Sequence, residues 1–170
     1  MAETKIYIAD DIDAKLREYG MRRFGYAKGS ISKAVEEAIV QWLIKIDKIN
    51  SKINAIIDKA KKDNDVIAVF MFGSFAQRKY TFRDVDIAVL FKDGADYSAK
   101  LFEYMGIADS VEDRTLDISA LNILPLYIQS KVFNEGEILY SKDMKDLYKF
   151  NVREIRDFDD FSYTYKAMVN

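Results

Sequence analysis

Two aspartates and a glycine-serine pair carry most of the chemistry this chain offers. Asp84 and Asp86 stand in Asp84-Val85-Asp86-Ile87, which runs on into Ala88-Val89-Leu90. Such a run reads as a strand, and strand side chains alternate between faces. Both carboxylates therefore project to one side, about 7 Å apart, while Val85 and Ile87 turn into a core. Upstream, Gly73-Ser74 closes the apolar run Val66 to Phe72. A glycine there lets backbone N–H groups come close to phosphate, where a Cβ would intrude. Magnesium takes hard oxygen ligands and is commonly held by one or two carboxylates together with substrate phosphates. Residues 66–90 thus read as strand, turn, polar loop and strand, arranged for a divalent metal and a phosphate chain. The loop from Gln77 to Arg83 adds Arg78, Lys79 and Arg83. These cations suit a triphosphate or an RNA or protein acceptor. They equally suit a solvated loop paired with its neighbours.

Composition narrows the alternatives. The 170 residues contain no histidine and no cysteine. A disulfide framework, thiolate zinc sites, cysteine nucleophiles and a Ser-His-Asp triad are excluded. What remains is carboxylate chemistry with hard metals, helped by Lys, Arg, Tyr and Ser. The net charge of −2 gives no global attraction to nucleic acid or anionic membranes, so any DNA-binding surface must be local. No apolar run approaches a membrane span, and the opening residues resemble no signal peptide, so a cytoplasmic protein with no membrane partner is expected.

Around the central stretch, the expected elements are these. Residues 3–8 alternate as a short strand, with Ile6 and Ile8 inward and Lys5 and Tyr7 outward. A helix from Ile12 to Phe24 ends at Gly25, and Ser30 caps the next, with Ile31, Val35, Ala38, Ile39, Trp42 and Leu43 as an apolar stripe. That periodicity continues to Lys62 without glycine or proline. A break near Asn50-Ser51 is expected, since two domains usually need separate apolar faces. After the two central strands come a helix over 96–111, a third strand Leu116 to Leu121, a helix opened by Pro125, a short strand Glu137 to Tyr140, and a final aromatic-rich helix from Asp143. The fold class expected is α+β, a mixed sheet with flanking helices on one side.

Phe72-Gly73-Ser74, nine residues, then Asp84-Val85-Asp86-Ile87 resembles the polymerase-beta-type nucleotidyltransferase superfamily. The chain's small size is similar to that of the minimal nucleotidyltransferases, many of which are antitoxins for HEPN-domain toxins. The resemblance covers about Ile53 to Tyr140. It implies a third carboxylate on a neighbouring strand, which Asp117 in Leu116-Asp117-Ile118 supplies. It further implies two-metal nucleotidyl transfer. Asp84, Asp86 and Asp117 would hold two magnesium ions, and Gly73 and Ser74 the triphosphate of ATP. The chain departs from the family in having Ala76-Gln77-Arg78 where Ala-Arg-Gly is usual, and in a loop one residue shorter.

The N-terminal strand-helix-helix pattern resembles the ribbon-helix-helix DNA-binding family over Lys5 to about Ile46. A lone strand before two helices has an unpaired edge, so pairing with a second copy is the simplest remedy. The resemblance implies a homodimer whose outward Lys5 and Tyr7 read bases in the major groove. The N–H groups of Gly29 and Ser30 would hold a phosphate at a helix start. Nine basic and eight acidic residues within 1–48 leave only +1, so a dimerisation module that binds no DNA stays open. The expected organisation is residues 1–48 as this module, 52–141 as the nucleotidyltransferase domain and 142–170 as a C-terminal helix packed on it. The function expected is transfer of AMP from ATP to a HEPN-class toxin, with repression of an operator. The alternative is a DNA-binding regulator whose nucleotidyltransferase fold only senses nucleotide.

Overall fold

The computed structural model describes residues 5–79, 84–108 and 116–153. Contacts divide the chain between Lys48 and Ile49. The first two residues of the strand expected over 3–8, Arg83 and the part of the final helix expected beyond Arg153 lie outside the described residues.

In the first unit, residues 5–9 form no ladder. The expected strand would need a partner strand, which the pattern assigns to a second copy. Ile6 and Tyr7 are both exposed, so the expected inward turn of Ile6 is not seen in the single chain. Helix α1 (Asp10–Phe24) carries Asp10, Asp11 and Asp13 in its first turn and Arg22 and Arg23 in its last, each sign placed to suit the helix dipole. Gly25 ends it at a φ of 81°. Helix α2 (Ser30–Lys62) follows. The two helices cross closely at Gly20, where an added Cβ would stand 2.8 Å from that of Ala34. Ser30 is buried, and its hydroxyl donates to the Ala27 carbonyl at 2.7 Å rather than accepting from the helix. The lower part of the apolar stripe, Ile39, Trp42 and Leu43, is exposed in the single chain.

Helix α2 is continuous through Asn50 and Ser51, which corrects the expected break. Nothing in those residues stops a helix. Asn50 and Ser51 are both exposed, so their polar side chains stay in water while the apolar spacing carries on beside them.

The second unit is built on a four-stranded sheet in the order β3-β2-β1-β4. Strand β1 (Val66–Phe72) is buried along nearly its whole length, as a continuous apolar run demands. It pairs antiparallel with β2 (Val85–Phe91) and with β4 (Glu137–Ser141). The β2 to β3 (Leu116–Ala120) pairing is parallel and needs a crossover, which α4 (Tyr97–Ala108) spans. Two further helices are α3, one turn at Gly73–Ala76, and α5 at Leu126–Glu135 with Pro125 at its N-cap. Residues 144–153 are helical up to the last described residue.

Helices cover both faces of the sheet, not one. Ile49, Ile53, Ile56 and Ala60 of α2 and Tyr104 of α4 pack with Val69, Val85, Ile87 and Ile118. On the opposite face Val132 of α5 and Leu147 and Phe150 pack with Phe70, Ala88 and Leu90. The alternation of Val85 and Ile87 with Ala88 and Leu90 produces the two layers, because the central strands β1 and β2 carry apolar residues on both sides.

Polar side chains lock the margins. Asn122 mimics a strand neighbour, accepting from the Phe91 N–H and donating to its carbonyl, both at 2.9 Å. Lys100 bridges Asp63 and Asp65, each at 2.8 Å.

Candidate active site

Strands β1, β2 and β3 bring the candidate site residues to one end of the sheet, where β4 begins. Phe72, the last residue of β1, pairs with Asp86, the second residue of β2. Asp86 lies beside Asp117 of β3 in parallel register. Met71 pairs with Glu137 at the start of β4. The order across this end is therefore Asp117, Asp86, the Gly73-Ser74 turn, then the junction of α5 with β4.

Adjacent residues in register share a face, so Asp86 and Asp117 project to the same side. It is the face occupied farther along by Ala88, Leu90 and Val132. Asp117 is exposed, while Asp84 and Asp86 are half-buried. Burial first, then the negative charges of Asp84 and Asp117, hold the Asp86 carboxyl above the usual carboxylate range. Lys131 on α5 pulls in the opposite sense. Among the described residues, no three acidic side chains are gathered into a ready-made metal cluster. The donor set nevertheless suits a hard cation: mutually repelling carboxylates, one of them partly desolvated, are relieved by a divalent charge.

Gly73 has a φ of +74°. A Cβ there would collide with the Asp86 carboxylate, so the turn and the aspartate share one space. Ser74 follows in the single turn of α3, whose end is tied by Gln77 N–H to the Gly73 carbonyl at 3.2 Å and Lys79 N–H to that of Ser74 at 3.1 Å. Arg78 adopts a φ of 53°, the left-handed conformation that glycine takes readily, and it is the one non-glycine to do so among the described residues. Arg78 stands where the resemblance sets a glycine, and its own backbone takes the left-handed conformation that glycine favours. Arg78 and Lys79 are exposed.

Two contacts at this end of the sheet were not read from the sequence. Gln77 donates to Glu135 of α5 at 2.6 Å. Lys131, one helical turn before Glu135, brings its charge towards Asp86. The sequence pattern placed Gln77 at the start of a loop and Lys131 on a helix, without saying which face of that helix met this end of the sheet.

In the first unit, Lys5 and Tyr7 are exposed, with the Lys5 ammonium 5.2 Å from the Tyr7 ring centre. Gly29 is exposed with a φ of +95°. The Ser30 N–H already donates to the Ala27 carbonyl at 3.2 Å.

The chain belongs to the family described as Polymerase beta, Nucleotidyltransferase, whose model matches residues 54–145. Solved structures share the fold. One, a toxin-antitoxin MntA-HepT complex, matches at a TM-score of 0.52 with 25% identity over 71% of this chain and 95% of that one. A toxin-antitoxin structure with AMP-PNP gives 0.55, 24%, 70% and 94%. A tri-AMPylated Shewanella oneidensis HEPN toxin in complex with MNT antitoxin gives 0.53, 24%, 71% and 94%. No curated protein matches the chain.

Proposed function

We propose that this chain is a magnesium-dependent protein adenylyltransferase that moves AMP from ATP onto a HEPN-class toxin and so acts as its antitoxin. The observation that carries this reading is the Asp86 carboxylate, seated between Asp117 and the Gly73 turn at one end of the sheet. The neighbours described above add the acceptor class, since one contains an AMPylated HEPN toxin.

Asp84, Asp86 and Asp117 would hold two magnesium ions, which supply charge neutralisation at the reacting phosphate and at the leaving group. Gly73 and Ser74 bind and orient the triphosphate through the half-buried start of α3. Arg78 and Lys79 neutralise its outer charge, with Arg83 on the same loop. Asp117 lies on the far side of Asp86 from this turn, where the acceptor hydroxyl enters. The hydroxyl oxygen attacks the α-phosphorus, the bond to pyrophosphate breaks, and the hydroxyl proton leaves to the nearby carboxylate or to water. No histidine is required, and the chain has none.

The test is incubation with magnesium, ATP labelled at the α-phosphate and the product of the adjacent gene. Label on that protein, lost with Asp86→Asn or Asp117→Asn in folded variants, supports the reading. Equal labelling by the variants overturns it.

A second reading, a regulator that binds nucleotide without turnover, is favoured by one feature: Gln77 is engaged with Glu135 instead of facing phosphate. Nucleotide-dependent DNA affinity with no transfer would support it. In either case the first unit is read as a ribbon-helix-helix homodimer, with Lys5 and Tyr7 towards an operator and the Gly29-Ser30 turn near its backbone. The exposed, unpaired segment 5–9 supports this reading, because a second copy would both complete a ladder and cover Ile6.

A further inference from the structure

From the placement of α5 we infer that Lys131 is a phosphate-binding residue for the leaving pyrophosphate, held in position by the Gln77–Glu135 hydrogen bond. The inference rests on the nucleotidyl-transfer reading above and extends it to an element outside the Gly-Ser and aspartate motifs.

Four observations converge. Across the site end of the sheet, Asp117 lies on one side of Asp86 and the Gly73-Ser74 turn on the other. The α5–β4 junction is next beyond that turn, with Glu137 paired to Met71. Helix α5 is therefore on the triphosphate side, away from the acceptor. Second, α5 covers the face of the sheet from which Asp86 projects, because Val132 packs with Ala88 and Leu90. Third, Lys131 and Glu135 are four apart and share a helix face. Glu135 accepts from Gln77 at 2.6 Å, directly after α3, so that face looks onto the phosphate turn. Gly136 presses this end of the helix against β1, since an added Cβ would lie 3.3 Å from the Met71 carbonyl and closer still to that of Val132. Fourth, Lys131 is exposed and makes no ion pair with any described residue, so its ammonium is available to a ligand. The attraction it exerts on Asp86 agrees with this placement.

The arrangement also accounts for the departure at Gln77. The usual arginine there is replaced by an amide that anchors α5, and a cation carried by α5 takes up the charge. Lysine suits this role because a point charge on a flexible stem follows the pyrophosphate as it departs.

The test measures equilibrium binding of α,β-methylene ATP and of AMP, with magnesium, to the full chain. The methylene bridge prevents turnover, and AMP lacks the phosphates assigned to Lys131. Lys131→Met is expected to weaken the ATP analogue roughly tenfold, the effect of one charged hydrogen bond, and to leave AMP unchanged. Lys131→Arg is expected to restore most of the loss. Gln77→Ala and Glu135→Ala should give smaller losses of the same selectivity. Equal affinities in Lys131→Met and the parent overturn the inference, as does equal weakening of both ligands. Asp86→Asn separates the two levels. If it abolishes metal-dependent binding while Lys131→Met does nothing, the site stands and only the role of Lys131 falls. If the parent binds neither nucleotide, both fall.

Discussion

The Asp86 carboxylate occupies the space that a side chain on residue 73 would need. Gly73 is thus required twice, for its positive φ and for the volume it leaves. The left-handed conformation alone costs an alanine about 1–2 kcal/mol. Gly73→Ala must in addition push Asp86 aside. We predict a folded protein with a modestly lower melting temperature, in which labelling of the acceptor drops about 100-fold, the scale of a 1 Å misplacement. Near-parental labelling would show that Asp86 can move freely.

Arg78→Gly separates stability from function. Glycine relieves the left-handed strain at this position but adds freedom to the unfolded chain, and the two effects oppose each other. Denaturant unfolding should change by no more than about 1 kcal/mol. Affinity for ATP should fall roughly tenfold through loss of the guanidinium. Loss of stability without loss of affinity would assign Arg78 to the fold alone.

The Asp63–Lys100 pair predicts a pH profile. Burial by itself would raise the Asp63 carboxyl. The hydrogen bonds from Lys100 and from the Asp65 N–H outweigh burial and hold it below its ordinary 3.8. Hydrogen bonds to Asp63 and Asp65 raise Lys100 above its ordinary 10.5. The depressed carboxyl contributes stability above 3.8 that is lost as pH falls through its folded value. The raised ammonium contributes stability below 10.5 that is lost as pH climbs through its own. In Lys100→Met the acid dependence should reverse. Burial then dominates at Asp63, whose side chain is only 7% exposed, and stability falls as that carboxyl ionises. Urea midpoints between about pH 3 and about pH 6 read the sign directly. A loss of about 1–3 kcal/mol at neutral pH is expected.

At the close crossing of α1 and α2, Gly20→Val should be costly. Its Cβ already falls within 2.8 Å of the Ala34 Cβ, and overpacking of this kind costs about 1–3 kcal/mol. Hydrogen exchange should lose protection across α1 while β1 and β2 keep theirs. Unaltered exchange in α1 would show that the helices can separate without loss.

Strands were the most legible part of the sequence. The run Val66–Phe72 has no polar residue, and its boundaries in the structure are those of the run itself. Asp86 could be placed on a strand face by alternation alone. Its partner Asp117 could not, because parallel pairing joins residues distant in sequence. Only the family pattern singled out Asp117. The same limit hid Gly20, Asn122, Gln77 and Lys131. Each acts through a contact with a remote element, and neither spacing nor propensity encodes that element's identity. The two-sided packing of helices was missed for a related reason. A strand apolar on both faces says that both are covered, but not by what. The break expected at Asn50-Ser51 relied on domains having separate apolar faces, whereas one helix serves both units here by turning successive parts of its stripe to different uses.

That shared helix bears on how such proteins can be recombined. Cutting between Lys48 and Ile49 severs α2 in mid-course and leaves Ile49, Ile53 and Ile56, which line the nucleotidyltransferase core, on a frayed end. The border of the contact units is therefore a poor place to join genes. A join has to leave helix on the N-terminal side of Ile49, since Ile49, Ile53 and Ile56 share a face only while the helical spacing of three and four residues is held.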